Sequence, residues 1–459
     1  MRPPSRWAPL PVLLAATFLV VLDAFVVNVA MPSIQQDLGA GTTVLEWIVA
    51  GYGLASAVLL IPASRIGDRI GRRRVFSAGV ALFTLSSAAC GLAPSSGALV
   101  AARLAQGIAA ALMTPNALSL IGASYEGADR GRALSAYGTV MGVAAASGQL
   151  IGGALVQADL AGVGWRACFL INLPVGVAAL AAAPRTVPES RRAGALSLDP
   201  VGTLLVCAGL TLAVLPLIEG RALGWPAWTI AALALSPHVI GAFTAHQRAL
   251  ARHGGAPLLD PALLHRRTFA AGLAVQALLW CGQASFFLVF ALYLQLGRGL
   301  DAMQSGLVFT VLAVAYVVAS ARAQALAHHG RRLITAGALT LAAGHAILLD
   351  AVLGGGALVT LVPGMILVGA GMGLLIAPVA ATVMAGVPAE LAGSASGALS
   401  TVQNVGNAIG VGLVGALYFG ALGGGAAHAF AVSLAALAGL LLAVAALARA
   451  LPAVVASPR

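Results

Sequence analysis

The sequence predicts an all-α polytopic membrane protein, and three observations carry that prediction. Hydrophobic residues make up 60% of the 459 positions and charged residues only 8%, against about 25% charged in a soluble domain. The apolar residues gather into runs of about 20, the length that crosses a bilayer as a helix. The 25 basic residues are all arginine, and nearly all of them fall in short segments between those runs.

Taken in order, the runs predict fourteen spans, at 10–32, 45–63, 75–93, 97–121, 133–156, 166–184, 198–218, 226–246, 268–296, 303–321, 333–353, 357–381, 394–420 and 428–450. The first, Leu10–Pro32, is too long for the apolar part of a signal peptide and reads as an uncleaved helix. A carboxylate, Asp23, sits in its middle. A charge there costs about 2.5–3.5 kcal/mol on insertion scales, so such a residue is expected to face a cavity and carry function. The plainer reading is that Asp23 only pairs with a neighbouring helix. With the N-terminus inside, the cytoplasmic segments collect every arginine except Arg166, Arg221 and Arg298, on the outer side, and Arg103, within a helix. A positive-inside bias of that strength supports the helix count and puts both termini in the cytoplasm.

Composition also excludes chemistry. No lysine occurs, which removes a P-loop ATPase and a Schiff-base enzyme. Cys90, Cys168, Cys207 and Cys281 lie in apolar segments without CxxC spacing and read as small buried hydrophobes. No metal, cofactor or nucleic-acid partner is called for: the net charge of +11 is explained by loop arginines facing the membrane interface. Membrane lipid is the expected surround, and the oligomeric state is open.

A faint internal repeat follows the spans. Gly71-Arg72-Arg73 after the second is echoed by Gly330-Arg331-Arg332 after the tenth, and the Gly107–Pro115 stretch by Gly369–Pro378. Six helices, an inserted pair and six more is the pattern of parallel transporter halves. It divides the chain into 1–190, 191–252 and 253–459.

The Ser64–Arg74 stretch, SRIGDRIGRRR, joins the second and third spans, with Gly67 and Gly71 allowing a tight turn. It resembles the corresponding loop motif of the major facilitator superfamily, with Ser64 in place of the leading glycine. The resemblance implies a cytoplasmic gate at Asp68, Arg69 and Arg72 that latches the two halves. Leu22–Pro32, LDAFVVNVAMP, is similar to the LDxTVVNVALP stretch of the fourteen-helix drug:proton antiporters, with Phe25 at the threonine position. The resemblance makes Asp23 the proton-coupling carboxylate. Physics agrees, because burial favours the protonated acid and a nearby cation the ionised one. Arg103-Leu-Ala-Gln106-Gly107 resembles the RxxQG motif and would supply that cation, though an arginine near a span's end can also snorkel outward. Gln106, Pro115 and Asn28 are then cavity or helix-contact residues. In the fifth span Gly148-Gln149-Leu-Ile-Gly152-Gly153 resembles the exporter motif GPxxGG, with Gln149 replacing the proline. That leaves the expected kink unsupported and adds a polar group. Small residues four apart equally serve plain helix packing. Trp165–Gly176 resembles the stretch opening the sixth helix of the same family.

Weaker features are His238, His246, His253 and His265, read as solvated loop residues, and His345, a candidate cavity residue that reads more plainly as buried and packed with a backbone partner. Glu219 and Asp350 are expected at interfaces, and Gln276, Gln283, Gln403, Asn404 and Asn407 are candidate cavity residues. The resemblance implies a major facilitator fold of two six-helix bundles plus two inserted helices, exporting lipophilic drug-like compounds against protons across a bacterial plasma membrane. Asp23 is the only acid the sequence places deep in a helix. The cargo is therefore expected to be monovalent cations or neutral or zwitterionic amphiphiles. An importer or uniporter of a small metabolite is the main alternative. A non-transporting receptor or membrane-embedded enzyme lacks paired catalytic acids, an HExxH motif or a sizeable soluble domain.

Overall fold

In a bilayer each backbone polar group must be satisfied within its own segment, which leaves the helix as the default for long apolar runs. The computed structural model describes residues 6–159, 162–191, 199–255, 257–326, 329–385, 387 and 392–451. In chain order its helices are α1 (Pro9–Leu38), α2 (Thr42–Ile70), α3 (Arg72–Gly91), α4 (Ser96–Ser124) and α5 (Gly127–Ala158). Then come α6 (Gly164–Thr186), α7 (Pro200–Ala222), α8 (Ala227–Arg252) and α9 (Arg267–Gly297). The last five are α10 (Ala302–Leu326), α11 (Arg331–Leu353), α12 (Val362–Ala385), α13 (Ala392–Ala421) and α14 (Ala426–Leu447). Among the described residues thirteen helices are long and apolar enough to cross a membrane, and the two bent pieces of α5 taken as one span make fourteen.

Three segments depart from the sequence expectation. The second span does not end before Ser64; α2 runs on to Ile70, so Asp68 is helical and the turn is Gly71 alone, at φ 122°. Gly67 serves packing rather than turning, because a Cβ there would collide with the Asn116 amide of α4. The sixth span is not continuous. A 3-10 turn at Gly164–Arg166 leads into Ala167–Leu170, and helix resumes at Asn172–Thr186. Pro174 explains the break, since it has no N–H to give the Leu170 carbonyl and its ring crowds that group.

The bend in α5 survives the loss of the motif proline. Its pieces Ala136–Ala145 and Ser147–Ala158 meet at 43°. Ser147 supplies the cause, its Oγ donating back to the Val143 carbonyl at 2.7 Å and reaching that of Ala144 at 3.5 Å. Serine back-bonding of this kind bends helices.

Helices α1–α6 pack on one another and α9–α14 do likewise. The two sets meet along α5 and α10, along α2 and α13, and more lightly between α1 and α9. The inserted α7 and α8 pair with each other, and α7 lies over the α2–α13 seam, where Cys207 reaches the Val58 carbonyl and Trp47 donates to Glu219 at 2.5 Å.

At the arginine-rich end this pair is fastened by Asp199, which accepts from the Gly202 backbone, His246 and Gln247, all at 2.7–2.8 Å. His246 is therefore a hydrogen-bond partner of Asp199 on α8 rather than a solvated loop residue. Burial pushes the Asp199 carboxyl up, but the Gly202, His246 and Gln247 donors outweigh it and hold it below its ordinary 3.8. A depressed acid stabilises above its unfolded value and loses that contribution as pH falls through the folded one. Wild type should accordingly unfold at a higher temperature than Asp199→Asn at neutral pH, and the two melting curves should converge below pH 3.8. Curves that keep their separation in acid would contradict this.

Candidate functional site

Asp23 is fully buried, but it faces the interior of the first six helices and not the seam between halves. Its carboxylate forms an ion pair with Arg103 of α4 and accepts from Gln106 Nε2 at 3.1 Å and from Asn172 Nδ2 at 2.8 Å. Three donors on two neighbouring helices thus surround one acid from α1. Such saturation is what makes a buried charge pair tolerable, since each unmet lone pair adds desolvation cost.

Arg103 is 1% exposed, so the snorkelling reading fails. Its Nε donates to the Ile48 carbonyl of α2 at 2.9 Å and its Nη1 to Gln106 Oε1 at 2.9 Å. The guanidinium lies 4.4 Å from the centroid of the Tyr52 ring and 5.8 Å from that of Phe169, which adds cation–π attraction. Gln106 in turn donates to Ser87 at 2.8 Å and accepts from Cys90 at 3.2 Å, and Asn172 also reaches Ser87 at 3.3 Å. The sequence named Asp23, Arg103 and Gln106. It missed Ser87 and Tyr52, read Cys90 only as a small buried hydrophobe, and covered Asn172 only within the Trp165–Gly176 stretch, without a role. A polar residue breaking an apolar run was the available signal for Ser87 and Asn172.

The residues expected to form a gate divide. Asp68 accepts from Arg72 at 2.9 Å and pairs with it at 2.8 Å, and Arg72 reaches Ser190 Oγ at 3.3 Å, just beyond α6. Glu189 accepts from the Arg73 backbone at 3.0 Å. Arg69 is exposed and joins none of these contacts. Every described contact of Asp68, Arg69 and Arg72 stays on the first-half side; from the same stretch it is Arg65 that crosses, donating to the Pro257 carbonyl at 2.6 Å.

The small residues of α5 serve two interfaces. Gly148 and Gly152 let α5 lie against α1, where a Cβ would stand 2.8 Å from the Cβ of Phe25 and from the carbonyl oxygen of Val26. Gly153 instead meets the backbone of Ala302 on α10, and a Cβ at Gly306 would stand 2.7 Å from the Gln149 carbonyl oxygen. The second seam is similar, with Gly53 near Asn404 and Ala408 and Gly415 against Glu46. Gln295 Nε2 of α9 also donates to the Val29 carbonyl of α1 at 3.0 Å. Most of these close approaches lie toward the end away from the arginine loops. Nearer those loops Gly142 stands only in ordinary contact range of Tyr316, and Gly138 has nothing within 4 Å.

Asn28 and Gln149 are buried near this crossing, and the Asn28 side-chain oxygen and both amide atoms of Gln149 have no hydrogen-bond partner among the described residues. Pro115 lies inside α4, and its neighbour Asn116 donates to the Leu112 and Ala63 carbonyls, tying α4 to α2. Two expectations need correction. Asp23 is not the only acid buried within a span: Glu46 of α2 is as buried, because α13 and α7 cover that helix end. His345 is buried and packed as expected, but neither ring nitrogen has a hydrogen-bond partner among the described residues; it packs against the Phe286 ring with centroids 5.1 Å apart. Among the described residues no group of three or more His, Cys, Asp or Glu could hold a metal.

Residues 13–411 match the Major Facilitator Superfamily. The chain is 40% identical over 423 residues to a probable actinorhodin transporter of Streptomyces coelicolor, covering 91% of this chain and 73% of that one. It is 37% identical to the puromycin resistance protein pur8 of Streptomyces alboniger, covering 91% and 83%. The tetracenomycin C resistance and export protein of Streptomyces glaucescens is 32% identical, covering 90% and 76%. Among solved structures, a bacterial homologue of the lysosomal transporter Spinster superposes with a TM-score of 0.68 at 17% identity, covering 96% of this chain and 95% of that one. The POT family transporter PepTSo gives 0.70 at 14%, covering 96% and 97%. These two carry the fold alone. A fourteen-helix architecture, two six-helix sets meeting at glycine-lined seams and a family match across most of the chain agree: this protein belongs to the Major Facilitator Superfamily and is a membrane transporter, not an enzyme.

Proposed function

We propose that the protein exports lipophilic small molecules from a bacterial cytoplasm in exchange for protons. The buried Asp23–Arg103 pair, held by Gln106 and Asn172, is the observation that carries this reading. A proton and the Arg103 guanidinium compete for the same carboxylate, so proton binding releases the arginine. Arg103 also holds the Ile48 carbonyl of α2, and α2 carries Glu46 and Gly53 at the seam with α13. Protonation of Asp23 thus changes how α2 is held against the second half, without Asp23 touching cargo. The 1–190 and 253–459 bundles rock against each other, with 191–252 as the inserted pair and both termini cytoplasmic. The close approaches away from the arginine loops are then the outer seal of an inward-facing state. Asp68 and Arg72, paired with each other, are then a cytoplasmic gate not engaged with the second half. Relatives named for antibiotic export and resistance support the outward direction.

The test is proton movement in everted vesicles with an acidic interior. Adding a panel of lipophilic compounds should release protons from wild type and not from Asp23→Asn. Equal release in both would keep antiport and remove Asp23 from its centre. Concentrative uptake of a metabolite into whole cells, with no release in vesicles, would establish the importer instead.

A further inference from the structure

Gln149 is the polar group that the mechanism above leaves unused. It replaces the motif proline, it is 1% exposed, and neither atom of its amide has a hydrogen-bond partner among the described residues. A buried primary amide without partners costs its full desolvation, about 1–3 kcal/mol for each unmet group. It persists where something that is absent from the unliganded protein satisfies it.

Its neighbours say what that something is. One residue before it, Gly148 lies against the Cβ of Phe25. Phe25 crosses to the second half and meets Phe287 of α9 edge to face, with centroids 5.1 Å apart. Phe287 stacks on Phe309 of α10 at 5.6 Å and 22°, one turn along from Gly306, which touches the Gln149 carbonyl. Rings from three helices therefore surround the crossing that carries the amide. Helical side chains lean toward the N-terminal end of their helix, which for α5 is the arginine-rich end, where the halves part. The Gln149 side chain is thus directed from the crossing toward that end, the side on which a cargo would approach the rings.

We propose that Gln149 is a specificity-determining residue: its amide hydrogen-bonds the cargo, and Phe25 and Phe287 take the cargo's ring faces. The substrate class is then planar, uncharged aromatic compounds bearing a ring hydroxyl or carbonyl. This rests on the export reading and narrows it. Because the amide is already unmet in the empty protein, a cargo hydroxyl gains that hydrogen bond and an analogue that lacks it gains nothing.

The test uses the full-length protein in proteoliposomes with 1-hydroxypyrene and pyrene, a fluorescent planar pair differing by one hydroxyl. Wild type should transport the hydroxylated probe with at least about tenfold higher kcat/KM. Gln149→Met, which keeps length and removes hydrogen bonding, should lose that preference while moving pyrene within about twofold of wild type. Phe25→Thr should weaken both probes together. Equal handling of the pair by wild type, or an unchanged preference in Gln149→Met, would overturn the proposal. An equal loss of both probes in Gln149→Met would make Gln149 a packing residue and overturn it as well. If neither probe moves through wild type, the export reading fails for this class, and equilibrium binding in nanodiscs decides the inference. Tighter binding of 1-hydroxypyrene that Gln149→Met abolishes supports it, and equal binding overturns it. Should Gln149→Met not reach the membrane, Gln149→Leu serves in its place, and wild-type discrimination remains a test by itself.

Discussion

Replacing Arg103 with alanine is expected to destabilise the protein by about 3–5 kcal/mol, the cost of stranding one partner of a buried ion pair. Asp23 would keep the Gln106 and Asn172 donors but face a cavity lined by Tyr52 and Phe169 where the guanidinium had been. Arg103 also satisfies the Ile48 carbonyl and Gln106 Oε1, so the truncation strips several acceptors together. Combining Asp23→Asn with Arg103→Gln removes both charges and keeps hydrogen-bonding side chains. That pair should recover most of the stability and none of the proton-coupled transport. Thermal unfolding in detergent, set beside transport in vesicles, separates the two effects. A single Arg103→Ala variant as stable as wild type would mean that water enters the bundle and screens Asp23.

The second large effect is expected at the α5–α10 crossing. Gly153→Leu places a side chain against the Ala302 backbone, and backbone cannot turn aside as a flexible side chain can. Overpacking of this kind costs about 1–3 kcal/mol. On the proposed rocking of the halves the strain falls on one conformation, because the crossing that is closed here would part in the other. The equilibrium should therefore shift about 5- to 150-fold toward the other state, and transport should fall by about tenfold or more. An added cysteine at Ala302 in a background without the four native cysteines should react faster with an impermeant maleimide applied from outside. Gly138→Leu is the control, since nothing stands within 4 Å of a Cβ there. Unchanged labelling and transport in Gly153→Leu would remove the crossing from the transport cycle.

Much of the fold was legible because a bilayer leaves few choices. Apolar runs of about 20 residues must be helices, and arginines between them set the order of ends. Boundaries were less legible. Pro32 did not end α1, which continues to Leu38, and the Asp68 motif proved to be helix up to Gly71. A single proline can be absorbed where neighbouring helices hold both sides of it. The bend of α5 was doubted because its proline is absent, yet Ser147 bends the helix by another route.

The candidate site was half legible. Asp23, Arg103 and Gln106 could be named because a charge or amide within an apolar span is costly and so conspicuous. Ser87, Cys90 and Tyr52 are ordinary in apolar sequence, and only the packing of α2 and α3 on α4 makes them parts of the network. Glu46 drew no notice in the sequence because its burial comes from α13 and α7, more than 150 positions further along the chain.

What the sequence determined by itself was the number of spans, their order and the identity of the charges that a membrane must accommodate, since each follows from local composition and the cost of placing charge in lipid. The tertiary structure decided which way those groups face. Asp23 turns into the first bundle while Phe25, two residues on and nearly opposite around the helix, reaches the second half. Their division of labour depends on which helices lie on either side of α1, and that is a property of packing that no local pattern encodes.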